Sequence, residues 1–214
     1  MRPPDDLRAA RATLAIAALT AAAWLLAWLG GWQEAAALGG GFVPAQIGGA
    51  AAGEPQPVPA LLTPLTATLV HSGFAHLFFN LFMLLFCGRS VEPVLGGRGI
   101  AILYLVGAYA AAAAQYAVDP AETVPMVGAS GAISALLGAY ALLFGRNKVK
   151  VADPVLATAL NALWLGAAWI GLQILIGLTF ETTGLRIAIF AHIGGFIAGL
   201  ALARPLLLLR WRGA

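Results

Sequence analysis

Residues 127–144 read Val127-Gly128-Ala129-Ser130-Gly131-Ala132-Ile133-Ser134-Ala135-Leu136-Leu137-Gly138-Ala139-Tyr140-Ala141-Leu142-Leu143-Phe144, a run without one charged side chain. What such a run means depends on its surroundings. The chain has 214 residues, of which 61% are hydrophobic and only 10% charged, and its mean hydropathy is +0.88. Soluble domains carry roughly a quarter of their residues as charges, so a water-soluble globule is excluded. So much apolar side chain also excludes a disordered chain. A bilayer crossing needs about 20 apolar residues. Working outward from 129–144, apolar stretches recur at 12–32, 66–87, 100–118, 155–178 and 187–209, the last with Arg204 as its one charge. The reading is an all-α membrane protein, a six-transmembrane-helix bundle forming a single membrane domain over residues 1–214, with a long outer loop at 33–65. The first stretch outruns the ~7–15-residue core of a secretory signal, which makes it an uncleaved span. No internal repeat is visible, which argues against a transporter built from inverted halves.

The scarce charges orient the chain. Arg2, Arg8 and Arg11 precede the first span, Arg89 and Arg98 follow the second, Arg146, Lys148 and Lys150 follow the fourth, and Arg204, Arg210 and Arg212 close the chain. Only Arg186 of the twelve basic residues falls on the opposite side, beside Glu34, Glu54, Asp119, Glu122 and Glu181. The positive-inside rule then puts both termini in the cytoplasm. The net charge of +3 is scattered singly between apolar runs, without a basic tract or interleaved aromatics, so it marks topology and not nucleic acid. The lone Cys87 excludes an internal disulfide and a cysteine metal site. The outer loop combines Gly, Pro and Ala with Phe42, Val43, Ile47, Val58, Leu61 and Leu62, and part of it is expected to lie at the membrane surface.

Polar groups inside lipid are costly, and they default to functional candidates. No Asp or Glu lies well inside a span, which removes an intramembrane aspartyl protease, and no His-Glu-x-x-His is present for a zinc hydrolase. All three histidines, His71, His76 and His192, fall in spans. His76 and Asn80 share a helix face, whereas His71 would lie about 140° round from His76 at ~100° per residue. A three-histidine metal site would have to draw ligands from opposing faces, so no metal and no cofactor is expected. For His76 and Asn80 taken alone, hydrogen-bonded packing between helices is the plainer role.

Ser130 stands between glycines at the start of the fourth span, where a helix N-terminus offers free N–H groups to an anion. Asp119 and Glu122 place that end outside. In the sixth span His192, Gly195 and Gly199 share one face; in the fourth, Ser130, Ser134 and Gly138 share another. Two small-residue faces allow close backbone approach, and so could bring a serine hydroxyl to a histidine nitrogen. The second, fourth and sixth spans all run inward, so Ser130, His192, His76 and Asn80 fall in the outer half of the bilayer. Scattered packing residues need not share a depth; a nucleophile, its base and oxyanion donors must. No carboxylate is at hand at that depth to orient an imidazole, so the arrangement reads as a dyad and not a triad.

On these residues the chain resembles the rhomboid family of intramembrane serine proteases. The resemblance rests on His71-x4-His76-x3-Asn80, on Gly128-Ala129-Ser130-Gly131, and on Ala191-His192-Ile193-Gly194-Gly195. Val91-Glu92-Pro93-Val94-Leu95-Gly96 also looks like the family's cytoplasmic turn. It implies a rhomboid-like bundle in which Ser130 is the nucleophile and His192 the general base and later acid. By the same resemblance His76 and Asn80, with the backbone N–H groups of Ser130 and Ala129, stabilise the oxyanion, and His71, Gly128, Gly131 and Gly195 support the motifs. The implied partners are transmembrane protein substrates within the lipid bilayer, cleaved near the outer face. The loop 179–186 and the fifth span would act as cap and lateral gate. Two positions depart from the family pattern. Leu62-Thr63 stands where many relatives have Trp-Arg, and Ser134 stands where some relatives pack an aromatic on the catalytic histidine. No residue of the sequence is thereby assigned to holding His192. Arginine-rich, alanine-rich composition with Asp5 and Asp6 near the start fits a bacterial inner membrane better than a mitochondrial leader. The alternatives are a catalytically silent rhomboid-like protein that binds membrane clients, and a channel or transporter.

Overall fold

Helix length and the scarcity of internal charge account for most of the architecture. The computed structural model describes residues 10–47, 57–145, 153–180 and 188–211. Arg2, Arg8, Glu54, Arg146, Lys148, Lys150, Glu181, Arg186 and Arg212 lie outside the described residues, as does most of the expected cap loop. Among the described residues the chain is helical, with one isolated antiparallel bridge between Phe42 and Met126.

Helix α1, Arg11–Gly30, has 20 residues, about 30 Å at 1.5 Å per residue, which matches a hydrocarbon core. Gly31 stops it in the left-handed conformation (φ 69°), where glycine carries no Cβ penalty. Short helices follow: α2 (Gln33–Gly40), α3 (Pro44–Ile47), a 3-10 turn (Ala60–Leu62), α4 (Thr63–Thr66) and a second 3-10 turn (Ala67–Leu69). The second span was expected to open at 66, but the long helix α5 starts only at Phe74 and runs to Val118. The threonines before it explain the delay. Thr63, Thr66 and Thr68 donate their hydroxyls to the carbonyls of Ala60, Gly40 and Leu65, tying up local backbone in turns.

With 45 residues, α5 would span about 68 Å if straight, twice a bilayer. It breaks at Gly96, where φ is 77° and ψ 165°. The two limbs then run in opposite directions along α6 (Ser130–Phe144). At the start of the first limb His76 faces Gly128, while near its end Phe86 packs on Tyr140. On the second limb Gly107 meets Ala132 and Ala135, and Ala111, further along, meets Gly131. These limbs correspond to the expected second and third spans. Helix α6 has 15 residues, too short to span alone, and is almost wholly buried. It forms the axis of the bundle. Helices α7 (Pro154–Phe180) and α8 (Ile189–Arg210) complete it. Leu19, Leu26, Leu29, Leu163 and Trp164 point outward, as lipid-facing side chains do. Helices α1, α5, α7 and α8 are each long and apolar enough to cross a membrane.

Charge sorts to the two ends. The Glu92 carboxylate accepts the backbone N–H groups of Ala12 and Thr13, each at 2.8 Å, and the Thr13 hydroxyl at 2.7 Å. Arg210 donates to the Glu92 carbonyl and Trp211 to that of Val94. The start of α1, the Gly96 turn and the end of α8 thus meet at one end, with Arg11, Arg89, Arg98 and Arg210. At the other end, Phe42 and Met126 exchange backbone hydrogen bonds at 2.9 and 2.8 Å, and Ala45 N–H donates to the Glu122 carbonyl. The described part of the outer loop is therefore docked against the segment that leads into Ser130.

Candidate active site

Ser130 is the first residue of α6 and His192 lies in the first turn of α8. What brings them together is the seam between these helices. A Cβ at Gly195 would run into the Gly131 carbonyl oxygen, one at Gly199 into that of Ala135, and one at Gly138 into that of Phe196. Only side-chain-free positions permit this approach. The Ser130 Oγ sits 2.8 Å from His192 Nε2. With Nε2 as acceptor, the proton of a neutral imidazole is carried on Nδ1, and Nδ1 has no hydrogen-bond partner among the described residues. Ser130 is 9% exposed and His192 4%, so the pair is nearly closed off.

Ahead of Ser130 the chain passes through Gly128 at φ 108°, a conformation that L side chains avoid. Its N–H donates to the Ala67 carbonyl at 2.9 Å, which fixes the approach to α6. A Cβ there would also stand 2.5 Å from His76 Nε2, so the histidine edge lies against the backbone two residues before the serine. His76 Nδ1 is 3.0 Å from the Ser72 hydroxyl. If that hydroxyl donates, Nε2 carries the proton and points a donor toward the site. Asn80, 4% exposed, donates one amide hydrogen to the His76 carbonyl at 2.8 Å and keeps a second. Ser130 and Gly131, in the first turn of α6, have no carbonyl of their own helix to bond. The helix start and the His76 edge thus bring donors toward the serine, and Asn80 lies one turn along α5 from His76.

His71 departs from its expected position. It precedes α5 instead of lying on it, and its ring meets that of His76 edge-on at 4.9 Å. The two histidines are therefore neighbours, not residues of different faces. Among the described residues no three His, Cys, Asp or Glu side chains gather as metal ligands do.

Trp169 of α7 is the residue that sequence reasoning missed. It is buried, its ring stands 6.2 Å from that of His192 at 62°, and its Nε1–H donates to the Ser134 hydroxyl at 2.7 Å. Ser134 in turn donates to the Ser130 carbonyl at 2.8 Å. The sequence does hold a signal for it. Ala157, Asn161, Ala162 and Gly166 are the buried positions on the same face of α7, and Trp169 is the one aromatic on that stripe of small residues.

A Rhomboid domain family model matches residues 60–209. The chain belongs to the rhomboid family. Among curated rhomboid relatives, rhomboid-related protein 2 of Mus musculus is 29% identical over 63% of this chain and 44% of its own length. The rhomboid protease GlpG of Pectobacterium atrosepticum is 31% identical over 63% of this chain and 45% of its own. The rhomboid protease GluP of Bacillus subtilis is 32% identical over 68% and 25%. The matched stretch therefore spans less than half the length of each of these relatives. Rhomboid membership and the apolar helices make this a multi-pass membrane protein with an all-α, rhomboid-like bundle.

Proposed function

We propose that this rhomboid is an intramembrane serine endopeptidase that cleaves transmembrane segments near the outer face by a Ser-His dyad. The observation that carries the reading is the 2.8 Å contact between Ser130 Oγ and His192 Nε2 beneath the start of α6. Ser130 Oγ attacks the scissile carbonyl while His192 Nε2 takes its proton. The tetrahedral oxyanion is held by the first-turn N–H groups, His76 Nε2–H and the remaining Asn80 amide hydrogen. Its collapse breaks the C–N bond, and His192 returns the proton to the leaving amine. A water that loses its proton to His192 then attacks the acyl-enzyme, and the same oxyanion donors serve again. Collapse breaks the ester C–O bond while His192 returns the proton to Ser130 Oγ, releasing the acid. The proposed setting is a bacterial inner membrane, with both termini cytoplasmic, the site opening outward, and α7 as the side through which a substrate helix arrives.

The test uses purified protein in liposomes with a single-span substrate. Ser130→Ala and His192→Ala should each abolish cleavage; in a soluble serine protease, loss of the serine or the histidine costs on the order of 10⁶ in kcat. Undiminished cleavage by either variant sinks the dyad. A wild-type protein that binds membrane clients without cutting them would mark the silent client-binding reading instead.

A further inference from the structure

We propose that Trp169 is a positioning residue for His192, and that through it the seating of α7 against the bundle sets whether the dyad is aligned. The inference rests on the protease reading above and adds to it a dependence on one peripheral helix. A buried imidazole that works as a base must be held in one orientation, usually by an acceptor at its far nitrogen. Here Nδ1 has no such partner among the described residues. The Trp169 ring, edge-on at 6.2 Å, reaches the imidazole from a different helix.

Trp169 is itself fixed by a polar relay. Its Nε1–H donates to Ser134 Oγ, and the Ser134 hydroxyl donates to the Ser130 carbonyl. One tryptophan therefore touches the base through its ring and the nucleophile's own backbone through one hydroxyl. Ser134 is fully buried, so a tryptophan that withdraws loses the acceptor for its own N–H and strips Ser134 Oγ of its donor, which is costly. The position has two settings, docked or undocked, with little in between.

What decides the setting is α7. Its described buried face is Ala157, Asn161, Ala162, Gly166 and Trp169, small side chains apart from the asparagine and the tryptophan, while Val155, Leu163, Trp164 and Leu175 are exposed. Apart from Trp169, the apolar area that docks this helix comes from small side chains and the partly buried Leu165, so the tryptophan is its main anchor. If α7 swings outward, Trp169 goes with it, the relay breaks, and His192 loses its support. The dyad is then aligned only while α7 is seated.

The experiment measures fluorophosphonate labelling of the full-length protein in detergent. The end point reports how much protein is folded, and the rate constant reports dyad alignment without a bulky substrate. Trp169→Phe, which keeps a ring but loses the N–H, should slow labelling several-fold. Trp169→Ala should slow it by up to ~10²-fold, the scale of a 1 Å misplacement of a reacting group. Ser134→Ala, which removes the acceptor, should resemble Trp169→Phe. End points should stay near wild type, and kcat for a single-span substrate should fall more than KM rises. Gly166→Leu tests the helix itself. A Cβ at Gly166 already meets the Phe196 ring at 3.1 Å, so leucine pushes α7 away while touching neither dyad residue, and labelling should slow.

Wild-type rate constants for Trp169→Ala would overturn the positioning role; if that variant does not fold, Trp169→Phe and Ser134→Ala decide in the same way. A wild-type rate for Gly166→Leu would overturn the dependence on α7. A wild-type protein that never labels at Ser130 would instead sink the protease reading, and with it this one.

Discussion

Asn80 and Gly128 show how much chemistry one position can hold. The Asn80 amide spends one hydrogen on the His76 carbonyl, one turn back on its own helix, which fixes its orientation; in the proposed mechanism the other hydrogen meets the oxyanion. His76 is held through Nδ1 by Ser72. Both were legible as site candidates because their i, i+4 spacing follows from the sequence. Their orientation was not, since Ser72 precedes the helix and no spacing rule places it. His76→Ala and Asn80→Ala should each lower turnover by about 10²–10³, the cost of one oxyanion donor in a soluble protease. Their unfolding midpoints should stay near wild type, and unchanged cleavage rates would remove them from the oxyanion site. Ser134 marks the limit of motif reading. Measured against the family pattern it is a missing aromatic; in the fold it is the hydroxyl that holds one supplied by Trp169.

At the scale of elements, the sequence read as six apolar stretches, and the helices follow them closely, because a bilayer sets length and excludes charge. The boundaries that moved are those set by side-chain hydrogen bonds. Threonines 63, 66 and 68 delay α5, and His71 is thereby left in the segment ahead of the helix. The Gly96 break falls in the Val91–Gly96 stretch that the sequence showed only by its likeness to the family's cytoplasmic turn. The partner of Glu92 was not visible, because Ala12 and Thr13 are some 80 residues away in sequence. Helix α1 has no side-chain N-cap of its own, so Glu92 fills that role from across the bundle. Glu92→Ala should destabilise the protein by about 1–3 kcal/mol, the range for leaving buried donors unpaired. Glu92→Gln, which keeps one acceptor, should cost less. Thermal unfolding in detergent reads both, and an unchanged midpoint for Glu92→Ala would show that α1 is held by its apolar contacts alone.

For the whole molecule, the sorted charges carry a statement about topology. Arg98 lies at the end shared by α1, the Gly96 turn and α8, while Ala121 lies near Asp119 and Glu122 at the end that holds the candidate site. In a Cys87→Ala background, Ala121→Cys should react with a membrane-impermeant maleimide on intact cells. Arg98→Cys should react only after the membrane is opened, and the reverse pattern would invert the proposed orientation. The sequence by itself determined the all-α membrane class and the order of the apolar stretches. These follow from hydropathy, charge and helical rise, which are properties of local sequence. Only the tertiary structure decided that Ser130 and His192 touch, that Glu92 caps α1, and that Trp169 lies against the dyad. Those contacts join helices far apart in the chain, and they depend on which small-residue faces meet and how closely. The approach of two backbones is settled by every side chain along the seam, and no single motif encodes it.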